Sequence, residues 1–278
     1  MVEHVFIDTT VGRLAVDLHG RGAPVVLWPS LFADERSWQR VVPLLAVDRR
    51  LAVITGPGHG RSGDPGHPYR QVDCARAAAQ VLDHLGVSGP VDWVGNAWGG
   101  HVGVRFATTY PDRVTSLVTI GSPIQPLNNA ERRRTRALVF AYRLLGPARF
   151  IVDGVVTTML SPTTRATDPE AVSILRSTVI GANRTRLRNA VVSISLHRED
   201  LAPLLPEIAA PTLMITGEQH AGWTPAQAAA AVTALRDGRV EVVPDAAYLV
   251  PLERPREVAE LVRAFWAQTR TDKSASTP

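Results

Sequence analysis

The chain has 278 residues, 45% hydrophobic and 20% charged, the composition of a globular protein able to bury a substantial core. No apolar stretch nears the ~20 uncharged residues of a membrane-spanning helix, no basic stretch followed by an apolar run opens the chain, and the single cysteine, Cys74, excludes an internal disulfide, so a cytoplasmic protein is expected. The net charge of +4 and the pI near 9.8 do not point to nucleic acid: arginines are scattered among acids, and the dense run from Glu131 to Arg136 reads as the solvated start of an amphipathic helix.

Short apolar runs alternate with helix-length segments, the pattern of an α/β protein with a mostly parallel sheet. Val5–Thr10 and Leu14–Leu18 read as a hairpin. Pro24–Trp28 is a buried strand, followed by a helix over Ser37–Leu45. Leu51–Ile54 is a strand, and Gln71–Leu85 is a helix ended by Gly86. Val91–Val94 is a strand running into the glycine-rich turn Gly95-Asn96-Ala97-Trp98-Gly99-Gly100, with a helix over Trp98–Thr109. Val114–Ile120 is a further strand. From Ser122 to about Pro206 the chain is helix-like throughout. Strands resume at Pro211–Thr216 and Val240–Val243, separated by a helix near Pro225–Leu235. A last helix covers Arg254–Thr269, before a polar tail over 271–278. The expected division is a core of 1–121 and 207–270, with a helical lid of 122–206 over the carboxyl ends of the strands, the edge at which open α/β sheets bind ligands.

The turn after Val91–Val94 has the shape of a Gly-x-Ser-x-Gly elbow, whose glycines let the chain turn tightly and expose one side chain at the tip. Here the tip is Ala97, which has no nucleophilic atom. Three other segments accompany it: Pro57-Gly58-His59-Gly60-Arg61-Ser62, Pro211-Thr212-Leu213-Met214-Ile215-Thr216-Gly217 and Leu249-Val250-Pro251-Leu252-Glu253-Arg254-Pro255. In this order and spacing the four motifs resemble the α/β-hydrolase superfamily over nearly the whole chain.

The resemblance also locates what is missing. It places the family's nucleophile at Ala97, its acid at His220 and its histidine at Tyr248. Pro29-Ser30 replaces the usual His-Gly of the oxyanion loop, and Ser122-Pro123-Ile124-Gln125 offers no carboxylate at the alternative acid position. Together these changes remove the attacking oxygen, its base and the group that orients the base, so ordinary triad hydrolysis is not expected. The backbone donors survive. By resemblance they are the N–H groups of Trp98 and Leu31, able to stabilise a developing oxyanion.

By the same resemblance His220 and Tyr248 face one another within hydrogen-bond reach, and two readings stay open. They form a proton-transfer dyad, with the histidine titrating near neutrality, or Tyr248 fills space with its hydroxyl satisfied by His220. Trp28, Trp98 and Trp223 flank the same strand ends and read either as an aromatic pocket wall or as core. Ser30, Asn96 and Ala97 join Trp28 and Trp223 as expected ligand contacts. His101, one helical turn past Ala97, reads either as a ligand contact or as a packed helix residue. No phosphate loop, dinucleotide loop or His/Cys/Asp metal cluster is present, so no cofactor or metal is expected.

The expectation for function is a non-hydrolytic enzyme acting on an apolar small molecule, since relatives with altered triads serve as cyclases, lyases or isomerases in natural-product biosynthesis. A non-enzymatic binding protein with the same lidded cavity, and a hydrolase using Ser30 or an activated water, are the competing readings. No nucleic-acid or membrane partner is expected.

Overall fold

The structure is a computed structural model that describes residues 2–275. An antiparallel hairpin of β1 (Glu3–Thr9) and β2 (Gly12–His19) leads into β3 (Ala23–Trp28) and β4 (Arg49–Ile54). Four more strands follow: β5 (Val91–Asn96), β6 (Val114–Ile120), β7 (Thr212–Gly217) and β8 (Gly238–Val243). The eight form one sheet in the order β1-β2-β4-β3-β5-β6-β7-β8, parallel from β4 to β8. Strands β3 to β7 are buried along almost their whole length, as parallel strands covered on both faces must be.

The two faces are covered by different helices. One carries α2 (Gln71–His84), α3 (Trp98–Thr109) and α9 (Pro225–Val232), whose alanine-rich faces pack on Trp28, Trp93 and Met214. The other carries α1 (Val42–Leu45) and α11 (Pro255–Ala275), which bury Leu45, Val262 and Phe265 against Leu27, Val94 and Ile215. The helix expected over Ser37–Leu45 is in fact a 3₁₀ turn, Glu35–Trp38, followed by the single turn α1. Pro43 explains the break, because it supplies no amide to carry the hydrogen-bond ladder from α1 back toward the 3₁₀ turn, and proline is tolerated only in the first turn of a helix. The last helix runs on to Ala275, past the expected end at Thr269, so most of the expected tail is helical and only 276–278 lie outside the described residues.

Between β6 and β7 every element is helical: α4 (Asn129–Leu145), α5 (Arg149–Met159), α6 (Pro162–Thr167), α7 (Pro169–Gly181), α8 (Arg184–Ala190) and a π-helical segment Val191–Leu196. The two longest of these helices start on side-chain caps. Asn128 caps α4 in a capping box with Glu131, and Asp168 caps α7 ahead of Pro169. The short helix α10 (Val250–Glu253) follows the β8 loop.

The elbow between β5 and α3 is built from close backbone approach. A Cβ on Gly99 would lie 2.0 Å from the Trp28 carbonyl oxygen, and one on Gly95 would lie 2.1 Å from the Gly99 backbone. Ala97 sits between them at φ 49° and ψ −103°, a conformation that L side chains rarely adopt. Such strain costs about 1–3 kcal/mol, against about 0.5–1 kcal/mol for the added chain entropy of a glycine. Ala97→Gly is therefore expected to stabilise the fold by about 1 kcal/mol in urea unfolding, while Gly99→Ala loses about 2 kcal/mol or more by driving α3 off the Trp28 carbonyl. A destabilising Ala97→Gly would show that the elbow stores no strain.

Candidate active site

The loops that leave the carboxyl ends of β3, β5, β7 and β8 meet the end of the helical insertion. At β5 the elbow tip is Ala97, 3% exposed, and Trp98 is the first residue of α3, where an amide has no intrahelical acceptor. At β3 the turn is held by Ala33 N–H donating to Ser30 O at 3.2 Å and Phe32 N–H donating to His59 Nε2 at 3.3 Å, with Phe32 at φ 66°. The His59 Nδ1–H donates to Pro57 O at 3.1 Å, so the ring is a fixed strut under this turn. Between those bonds the Leu31 amide, like that of Trp98, has no partner among the described residues. Ser30 is fully buried and its hydroxyl donates to Leu31 O at 3.1 Å, with no base beside it to activate an attack.

His220 follows β7 and Tyr248 follows β8, and the structure does bring them together. Their relationship differs from the expected hydrogen bond: the rings stack, centroids 4.1 Å apart and planes 32° apart. The physical reason lies in the backbone. Gly222 N–H donates to His220 Nδ1 at 3.1 Å, which fixes Nδ1 as the acceptor and leaves the proton on Nε2. Nε2 is buried and without a hydrogen-bond partner, the Gly121 carbonyl lying near it but out of line. Burial lowers the His220 pKa to about 4, so the ring is neutral where it was expected to titrate near neutrality, and with Nδ1 accepting from Gly222 it has no free lone pair to take a proton from Tyr248.

Tyr248 is held from two sides. Asn96 Nδ2 donates to the Tyr248 and Ile120 carbonyls, each at 3.0 Å, so Asn96 is a tether between strand ends. The buried Glu253 carboxylate accepts from Ala247 N–H at 2.9 Å and from Ser161 N–H at 2.7 Å, tying the same loop to the insertion. Burial raises the phenol's pKa, which keeps it protonated.

A group that sequence reasoning missed completes this cluster. Arg198, just past the π-helical segment, brings a positive charge that acts on Tyr248, His101 and His220. Its Nε is buried with no partner. The adjacent acid, Glu199, pairs with Arg105 on α3, and Glu131, whose charge also reaches Tyr248, accepts from Asn128 N–H at 2.9 Å in the α4 cap. Among the described residues no ion pair includes Arg198. His101 is buried with both ring nitrogens unpartnered, and burial lowers its pKa to about 3. In sequence, Arg198 stands in His197-Arg198-Glu199-Asp200, indistinguishable from a solvated turn.

The tryptophans do not wall a pocket. Trp28 stacks on Trp93 at 6.1 Å and meets Trp98 edge-on at 5.7 Å, and with Trp223 all are packed in the core. The apolar cavity lies elsewhere, inside the insertion: a narrow space of about 20 Å³, lined by residues such as Leu138, Val139, Ile151, Val155 and Leu187, with Phe32 as its wall from the core. Along α4 and α5, Phe140 and Phe150 are exposed while Leu138, Val139 and Ile151 face the cavity. Tyr142 Oη and Arg188 Nε, both on the cavity's walls, are buried and unpartnered. Among the described residues no group of three His, Cys, Asp or Glu side chains is placed to hold a metal, and no helix is long and apolar enough to cross a membrane.

The parallel sheet, the elbow and the helical insertion are matched by the α/β-hydrolase fold family over residues 23–255. The chain belongs to that family. Among known α/β hydrolases, it is 28% identical over 262 residues to a protein of Bacillus subtilis assigned as 2-succinyl-6-hydroxy-2,4-cyclohexadiene-1-carboxylate synthase, covering 91% of this chain and 94% of that one. A protein of Azorhizobium caulinodans assigned as a carbamate hydrolase is 32% identical over 107 residues, 38% of this chain and 40% of its own length. A thermophilic esterase from Thermogutta terrifontis, solved with malate bound, superposes with a TM-score of 0.88 at 26% identity, covering 96% of this chain and 99% of that one.

The lowered histidine pKa gives a stability test. Between about pH 4 and 6.5 the unfolded chain protonates His220 and the folded chain does not, so stability falls as pH falls through that window. His220→Gln is expected to remove about one proton's worth of that slope in urea titrations at stepped pH. An unchanged slope would place His220 in solvent contact.

Proposed function

We propose that this α/β-hydrolase-fold protein is an enzyme that binds an apolar small molecule beneath its helical lid and transforms it without a covalent acyl intermediate. The observation that carries the reading is the elbow: its strained geometry is kept while its tip, Ala97, has no nucleophile. Keeping that strain keeps the Trp98 amide uncommitted beside the Leu31 amide, and two such donors can each stabilise a developing oxyanion by roughly 3 kcal/mol. Tyr248 adds a third donor. Burial raises its pKa and keeps the phenol protonated, so it can donate to a ligand oxygen.

His220 has no free lone pair to act as a base, since its Nδ1 accepts from Gly222 N–H and its proton lies on Nε2, and burial makes His101 a weak base. The reaction is therefore one that needs polarisation and positioning but no strong protein base, such as ring closure by intramolecular addition, an elimination or an isomerisation. Holding a reactive conformer can supply on the order of 7 kcal/mol of barrier lowering. A relative aligned over most of both chains is assigned as a synthase, which supports this reading; relatives assigned as an esterase and a hydrolase, also aligned over most of both chains, support carbonyl compounds as the ligand class. The same lack of a base also favours a second reading, a binding protein that uses the cavity without turnover.

The purified protein is expected to show no fluorophosphonate labelling and no p-nitrophenyl ester hydrolysis above background, and Ala97→Ser to remain a poor esterase because Tyr248 cannot serve as the base. Covalent labelling of the wild type would overturn the reading. Within the cavity, Val155→Phe is expected to abolish 1-octanol binding measured by titration calorimetry while leaving the unfolding temperature within a few degrees. Unchanged octanol binding would place the ligand elsewhere.

A further inference from the structure

The dense arginine run that opens α4 has no part in the site at the strand ends, and its surroundings are unlike the rest of the surface. From Glu131 to Phe150 the chain carries Arg132, Arg133, Arg134, Arg136, Arg143 and Arg149, against the single acid Glu131, which is engaged in the α4 capping box. Among the described residues only Arg149 of the six makes an ion pair, at 3.7 Å with Asp153. The same segment holds Phe140, Leu144, Leu145 and Phe150, each more than half exposed.

Helix α4 is apolar on two sides. Leu138, Val139 and Tyr142 line the cavity, while Arg133, Arg136, Phe140 and Leu144, spaced by three or four residues, run along one exposed face, basic at its start and apolar at its end. Arg184 donates to the Leu144 carbonyl at 3.3 Å and packs against Gly146, which holds the turn leading to Phe150. The exposed rings are thus presented by ordered helix ends.

An anionic lipid interface takes both kinds of group at once: the acyl boundary accepts the phenylalanine and leucine side chains, and headgroup phosphates match the guanidinium forks. A second copy of the chain does not fit the face, because pairing two such surfaces would set like charges against each other. We propose that the end of α4 and the start of α5 form a peripheral docking surface for an anionic lipid bilayer. The contact lies on the membrane, since no helix among the described residues is long and apolar enough to cross one. It is independent of what the cavity binds.

The test is vesicle flotation, with phosphatidylcholine alone and with phosphatidylcholine containing about one third phosphatidylglycerol. The wild type is expected to bind the mixed vesicles at least about 10-fold more tightly than the neutral ones at low salt, and to lose most of that difference at high salt. Arg133→Gln with Arg136→Gln is expected to weaken binding by about 10- to 30-fold, and Phe140→Ser with Phe150→Ser by at least about 10-fold. Val47→Ser, an exposed apolar position outside the insertion, should change nothing. A Phe140→Trp variant, read with brominated lipid, is expected to show fluorescence quenching beyond that of the wild type.

All these side chains are exposed, so each variant should unfold within a few degrees of the wild type. If a double variant proves unstable, the salt dependence of the wild type and the quenching of Phe140→Trp still decide. Equal affinity for the two vesicles, binding to neither, full affinity in either double variant, or no added quenching would overturn the proposal. Tighter binding to polyglutamate than to the mixed vesicles would also overturn it, in favour of an acidic protein.

Discussion

The close approach of α3 to β3 and β5 governs the layout of this molecule. With Gly95 and Gly99 lacking side chains, the helix start presses on the Trp28 carbonyl, and the chain can reverse at Ala97 only by holding a left-handed conformation. That reversal puts the Trp98 amide at a helix N-terminus, where it has no acceptor and where the helix dipole favours negative charge. It also fixes Asn96, whose amide then clamps the Tyr248 and Ile120 carbonyls and so sets the loop after β8 against the loop after β6. A serine is not needed for any of these contacts. The architecture of a nucleophilic site therefore persists intact around a methyl group.

What has changed is the sign of the site. An aspartate after β7 and an imidazole after β8 would make a cluster with one negative charge and a base. With His220 stacked on Tyr248 and locked as the Nε2–H tautomer by Gly222, the same place has lost its carboxylate and its free imidazole lone pair. Burial holds both histidines neutral, and His220, its Nδ1 occupied by the Gly222 amide, contributes packing and an Nε2–H. The insertion forms a small apolar cavity that touches the core through Phe32, one residue from the Leu31 amide.

Much of this was legible in the sequence, and the limits are physical. The alternation of buried runs with helices, the long helical stretch after Ile120, and the glycines of the elbow have local causes, so the sheet and the insertion could be placed from residues alone. Ala97, His220 and Tyr248 could be placed by resemblance because they sit at fixed offsets from strand ends. Their relationship could not, because the stack depends on which His220 nitrogen the Gly222 amide takes, a contact two residues away that carries no sequence signal. The tryptophans were ambiguous for the reason that aromatic residues at strand ends serve core and pocket alike, and here Trp28, Trp93 and Trp98 pack on one another. Arg198 was invisible, since only the path of the chain past the π-helical segment brings its charge to bear on Tyr248 while Glu199 turns toward Arg105.

The central claim is that the elbow keeps its strained geometry around a tip, Ala97, that cannot form a covalent intermediate. Intact-protein mass spectrometry, sampled at short times during incubation with a panel of acyl esters and lactones, tests it directly. The account predicts an unchanged protein mass at every time point. A transient acyl adduct on Ser30 or on any elbow residue would contradict it.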